Sequence, residues 1–106
     1  MFLTLWEFEV KPGCEESFEK AYGPEGAWVQ LFRRDPHYRT THLLRDPSRP
    51  RVYFTLDFWD SETAHLHFKV AHHQAYAALD RSTKGLTLQE RHLGFFLQTT
   101  SIDYTS

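Results

Sequence analysis

Val52-Tyr53-Phe54-Thr55-Leu56-Asp57-Phe58-Trp59 runs straight into Asp60-Ser61-Glu62-Thr63-Ala64, and this junction decides the fold. Successive side chains of a strand point to opposite faces. Val52, Phe54, Leu56 and Phe58 therefore make one surface, and Tyr53, Thr55, Asp57 and Trp59 make the other. The first surface is wholly apolar and suits a covering layer of helices. The second mixes aromatic and polar groups and suits a small-molecule pocket or a partner sheet. Ser61 then caps a helix start and ends the strand.

Upstream, His37–Arg45 reads as a strand, tied to Arg51–Trp59 through Asp46-Pro47-Ser48-Arg49-Pro50. That loop is too polar and too proline-constrained for anything regular. The hairpin spans Tyr38–Trp59. Downstream, Ala64, Phe68, Ala71, Ala75 and Leu79 recur at three- and four-residue steps, which predicts one helix from Ser61 to about Asp80 lying on a sheet. At the amino end, Phe2–Val10 carries Phe2, Trp6, Phe8 and Val10 in one phase and Leu3 and Leu5 in the other. Apolar residues in both phases mark a central strand covered on both sides.

Lys11-Pro12-Gly13 ends that strand, and a helix is expected over about Cys14–Tyr22, with Glu15 and Glu16 favouring its amino-terminal dipole. Gly23-Pro24-Glu25-Gly26 breaks the pattern, and the predicted bend borders a cavity entrance. Helix resumes over Ala27–Arg34, with Trp28, Leu31 and Phe32 at core spacing, until Asp35-Pro36 stops it. Thr87-Leu88-Gln89-Glu90 has capping-box spacing and predicts a short helical turn. Leu93–Thr99 is expected to be the last strand, giving a domain over 1–100 and a tail or arm over 101–106.

The order strand, helix, strand, strand, helix, strand is the α+β, ferredoxin-like βαββαβ arrangement, one antiparallel sheet with both helices on one face. The other face is left bare. An apolar surface of that size on a soluble chain implies a homodimer packed sheet against sheet.

With 106 residues, one domain is expected. A net charge of -2 supplies no basic footprint for nucleic acid. No stretch approaches the roughly 20 apolar residues that span a bilayer, and Met1-Phe2-Leu3-Thr4-Leu5-Trp6-Glu7 lacks the features of a signal peptide. A cytoplasmic protein is the expectation. The single cysteine, Cys14, excludes an intrachain disulfide and a cysteine-rich zinc site. Aromatic residues reach 16%, enough to cover a core and a second surface against a partner.

The chain resembles the antibiotic-biosynthesis monooxygenase family of dimeric α/β-barrel proteins over roughly Phe2–Phe96. The resemblance rests on Val10-Lys11-Pro12-Gly13, on Leu43-Leu44-Arg45-Asp46-Pro47 and above all on Phe58-Trp59-Asp60-Ser61-Glu62 in its place after the third strand. It implies a barrel formed by two sheets and a ligand cavity in each protomer. It also implies an oxygenase that uses no metal or flavin on an electron-rich polycyclic substrate, so no cofactor is expected. The haem-degrading branch wants an asparagine late in the first strand, where this chain has Trp6 or Glu7. It also wants an iron-binding histidine late in the second helix, where Ala78, Leu79 and Asp80 stand. Haem iron needs its axial ligand, so that branch is set aside.

Among candidate site residues, His42 is in phase with Tyr38, Thr40 and Leu44. If that phase shares a side with Tyr53, Asp57 and Trp59, imidazole and carboxylate meet in one pocket, and His42 with Asp57 becomes the catalytic pair. Its structural alternative is a cross-strand polar residue. Trp6, Glu7, Tyr53 and Trp59 are the candidate substrate contacts from the sheet, with His72 and Tyr76 at the cavity mouth. His65 and His72 share a helix face with Lys69 and Tyr76, but lie about 10 Å apart along the axis, too far to share a metal. That stripe reads as a solvated helix shoulder, so no metal site is expected. The function expected is monooxygenation of an aromatic or polyketide-like small molecule. The alternative is a non-catalytic dimeric domain using the same cavity.

Overall fold

The computed structural model describes residues 1–100. The expected tail over 101–106 lies outside them. In chain order the elements are β1 (Phe2–Val10), α1 (Glu15–Tyr22), α2 (Ala27–Phe32), β2 (Tyr38–Arg45), β3 (Val52–Trp59), α3 (Glu62–Ala71), α4 (His73–Thr83) and β4 (Thr87–Leu97). The four strands form one antiparallel sheet in the order β2-β3-β1-β4. β1 is an interior strand, as its two-sided apolar pattern requires.

The helices cover the face opposite to the one expected. Tyr53, Thr55, Asp57 and Trp59 are buried beneath them, while Val52, Phe54, Leu56 and Phe58 are only half-covered on the bare face. The reason lies in size and stacking. Tyr53 and Trp59 enter an aromatic layer with Phe8, Phe18, Phe32 and Phe68, where Phe18 and Tyr53 ring centroids lie 4.9 Å apart and Trp59 and Phe68 4.8 Å. Such stacking favours the face with larger rings even though that face also carries polar groups.

Two further expectations change. The long helix is two, broken at His72, whose φ of -114° and ψ of 24° leave the helical region. No proline or glycine marks the break. It lets α3 pack on β3 while α4 packs on α2. Thr87–Glu90 is strand rather than helical turn: Thr87 pairs with Val10 and Glu90 with Phe8. Long-range pairing to β1 overrides the local capping signal, and the turn falls just before it, at Lys84–Leu86.

The break between α1 and α2 is where the sequence put it. Its tightness needs Gly26: a Cβ there would sit 2.3 Å from the Ala21 carbonyl oxygen. The Gly26 N–H donates to the Gly23 carbonyl at 2.9 Å, closing the turn.

Candidate active site between sheet and helices

Two adjoining cavities lie between the sheet and the helices. The first, about 450 Å³ with its open mouth included, is lined by Trp28 and Phe32 of α2, Thr41, Thr55 and Asp57 of the sheet, and Tyr76 and Asp80 of α4. The second, about 550 Å³ on the same measure, is lined by Thr4, Trp59, His65, Lys69, His92 and Phe95. Trp6, Phe32, Asp57 and Tyr76 belong to both, so they mark the junction. Joined at these residues and open at the mouth, they form a concave, mainly aromatic surface with a few polar groups, the type of site that small molecules use.

Asp57 is the chemical centre of the junction. It is 7% exposed, and burial pushes its carboxyl up to about 7 despite a hydrogen bond from Thr41. The Thr41 hydroxyl donates to Asp57 Oδ1 at 2.7 Å. With that proton committed, the Tyr38 hydroxyl donates to Thr41 Oγ1, also at 2.7 Å. The result is a chain from Tyr38 through Thr41 to the carboxylate. A carboxyl poised near neutrality exchanges protons readily in either direction, which is what a general base requires.

The second cavity has a different character. The Lys69 ammonium lies 4.2 Å from the Tyr76 ring centroid, a cation–π contact that holds it over the cavity. Burial holds His65 down to about 4, with the Lys69 charge adding to the effect, and the same two causes lower His92. His92 Nε2 meets Thr4 Oγ1 at 2.8 Å.

Of the residues singled out from sequence, Trp6, Asp57, Trp59 and Tyr76 converge on these cavities. The others do not. A bulge between Tyr38 and Thr40 shifts the phase of β2, so that Thr41 pairs with Asp57 and His42 with Leu56. His42 is therefore on the bare face, its ring 5.2 Å from Phe58, and the His42–Asp57 pair does not form. Glu7 is also on that face, bridged to Arg91 at 3.3 Å and Arg49 at 3.6 Å. Tyr53 is buried under α1, where its hydroxyl donates to Glu19 Oε2 at 2.5 Å. Burial, with that carboxylate beside it, pushes Tyr53 to about 12. It clamps helix to sheet and lines neither cavity. His72 sits at the helix break against Phe68, outside both.

Conversely, His65 and Lys69 are cavity walls rather than a solvated shoulder. Thr41, His92 and Thr4 had no individual signal, because their faces depend on strand register. Among the described residues no three His, Cys, Asp or Glu side chains are placed to hold a metal ion.

A ferredoxin-like sheet with helices on one face and an acid-bearing aromatic cavity between the layers defines the class of domain. Comparison supplies the family. The sequence model of the antibiotic biosynthesis monooxygenases matches residues 1–79, and the chain belongs to that family. No curated protein matches it. Among solved structures it is similar to a variant of SnoaB, a cofactor-independent oxygenase from Streptomyces nogalater (17% identity, 97% of each chain covered, TM-score 0.72). It is also similar to a Deinococcus radiodurans protein described as an antibiotic biosynthesis monooxygenase (13% identity, 100% of each chain, TM-score 0.73). A third is a variant of MhuD with two manganese protoporphyrin IX molecules per active site (19% identity, 98% of this chain and 100% of that one, TM-score 0.71). At these identities the likeness is one of fold.

Proposed function

We propose that this protein is a monooxygenase that uses dioxygen without metal or flavin on an aromatic, polyketide-like small molecule. The observation that carries the reading is Asp57, a carboxyl raised to about 7 at the junction of two aromatic-walled cavities. Family membership supports it.

The chemistry needs one base. Ionised Asp57 takes a proton from an acidic phenol or from a carbon flanked by aromatic and carbonyl groups, leaving an electron-rich anion. That anion passes one electron to dioxygen, and the radical pair combines to a peroxide. Loss of water from the peroxide leaves a carbonyl. One oxygen atom ends in product and one in water, and the substrate supplies all the electrons. Thr41 steadies the carboxylate through its hydrogen bond. Trp6, Trp59 and Tyr76 are the proposed substrate contacts, and Asp57 takes the base role that the sequence reading assigns to His42.

A homodimer in the cytoplasm is part of the proposal. The uncovered apolar face of the sheet supports the dimer, and the lack of any possible intrachain disulfide is in keeping with a reducing compartment. No helix among the described residues is long and apolar enough to cross a membrane.

The test is oxygen uptake above buffer background with a panel of anthrones and hydroxylated naphthalenes, using heavy-oxygen gas. One labelled atom per product molecule is expected, with a loss of about a hundredfold or more in Asp57→Asn. Silence across the panel, or full activity in Asp57→Asn, overturns the reading.

A further inference from the structure

Charge is distributed unevenly along the joined cavities. Asp80 and Glu90 line only the first, and Lys69, with two histidines, lines only the second. The acids already have a partner: Lys84 Nζ lies 2.8 Å from Glu90 and 3.8 Å from Asp80. Lys69 has none. Among the described residues its ammonium makes no ion pair and lies over the face of Tyr76. Among the described residues Lys69 is the one Lys or Arg side chain that lines either cavity. Asp57 shares the second cavity, yet the Lys69 charge is not among the influences on its carboxyl.

We infer that the cavity takes an aromatic acid, its rings lying over Trp6 and Tyr76 and its anionic group held at Lys69 between His65 and His92. This rests on the proposed function for the site and adds the chemical class and orientation of its ligand. A half-buried cation that faces a cavity and has no carboxylate within ion-pair distance gains once an anion arrives, because charge-assisted hydrogen bonds are the strong ones. The histidines suit the same task. Burial and the Lys69 charge bring His65 down to about 4 and lower the more exposed His92 as well, and a neutral imidazole has one ring N–H that can donate to an anion without adding a second positive charge. The Thr4 hydroxyl bonded to His92 fixes that ring against the sheet. At the far end, Asp80 and Glu90 disfavour the reverse orientation.

The experiment measures binding by calorimetry of two probes that differ only in charge, naphthoate and naphthamide. Wild-type protein is expected to bind naphthoate about tenfold or more tightly than naphthamide. Lys69→Met should abolish the preference while leaving naphthamide affinity within about twofold, and Lys69→Arg should keep it. A second measurement needs no variant: added salt should weaken naphthoate and leave naphthamide unchanged. Equal affinity for the two probes, no measurable binding of either, or a preference that survives Lys69→Met overturns the inference. Oxygen uptake plays no part in this readout. Acid-selective binding by a protein that never consumes oxygen sinks the monooxygenase reading alone, and oxidation of neutral phenols without acid preference sinks this inference alone.

Discussion

Asp57 carries a cost to the folded state that pH reveals. Well below pH 4, its carboxyl is protonated whether the chain is folded or not. Between there and about 7 the unfolded chain releases the proton while the folded chain keeps it, so stability falls as pH rises. Above about 7 the full penalty applies, on the order of 4 kcal/mol at roughly 1.4 kcal/mol per unit. Asn at this position accepts the Thr41 hydroxyl without a charge. Urea denaturation of Asp57→Asn should therefore show a gain of about 2–4 kcal/mol on the alkaline side that vanishes in acid, together with lost oxygen uptake. Gain of stability with loss of activity is the signature of a group kept for chemistry. A second expected outcome is that dialysis against a strong chelator leaves oxygen uptake unchanged, since every proposed role is held by the chain's own side chains. At this scale the sequence was half-legible. Strict alternation over Val52–Trp59 isolated Asp57, but His42 was misdirected because a one-residue bulge reversed its phase.

Elements were more legible where local chemistry dominates. The bend at Gly23-Pro24-Glu25-Gly26 and the Ser61 cap, which accepts from the Ala64 N–H at 3.1 Å, followed from residue type. The Thr87 start of β4 did not, since it is set by pairing with β1. Neither did the break at His72, which accompanies packing of α4 on α2. The bend offers a sharp test. Gly26 has an ordinary φ of -80°, so its requirement is space and not conformation. Gly26→Ala drives a methyl into the carbonyls of Lys20 and Ala21, backbone atoms that cannot swing aside. A loss of about 2–3 kcal/mol is expected in thermal or urea unfolding, comparable with overpacking a core. Because Tyr22 and Trp28 flank the bend and both line the first cavity, naphthoate binding should weaken as well.

For the whole molecule, the decisive surface is the one the helices leave open. Leu3, Leu5, Phe54, Leu56 and Phe58 are half-buried on it, and Leu44 is 49% exposed. A 12.6 kDa chain with this face uncovered should sediment at about 25 kDa at micromolar concentration. Leu44→Glu, which removes no contact from the aromatic core, should shift it toward the single-chain mass while leaving secondary structure intact. A stable single-chain species in the unsubstituted protein would count against the dimer. The bulge near the start of β2 bears on a different matter, the way such a chain diverges. By absorbing one residue, it uncouples the length of the Asp35–Arg39 approach from the face that Thr41 presents to Asp57. Deleting Arg39 straightens the strand and keeps Thr41 opposite Asp57, at the loss of the Arg39–Asp60 bridge. A gap placed at this point in an alignment with relatives is therefore a matter of strand geometry, and carries no implication that the Thr41–Asp57 pairing has drifted.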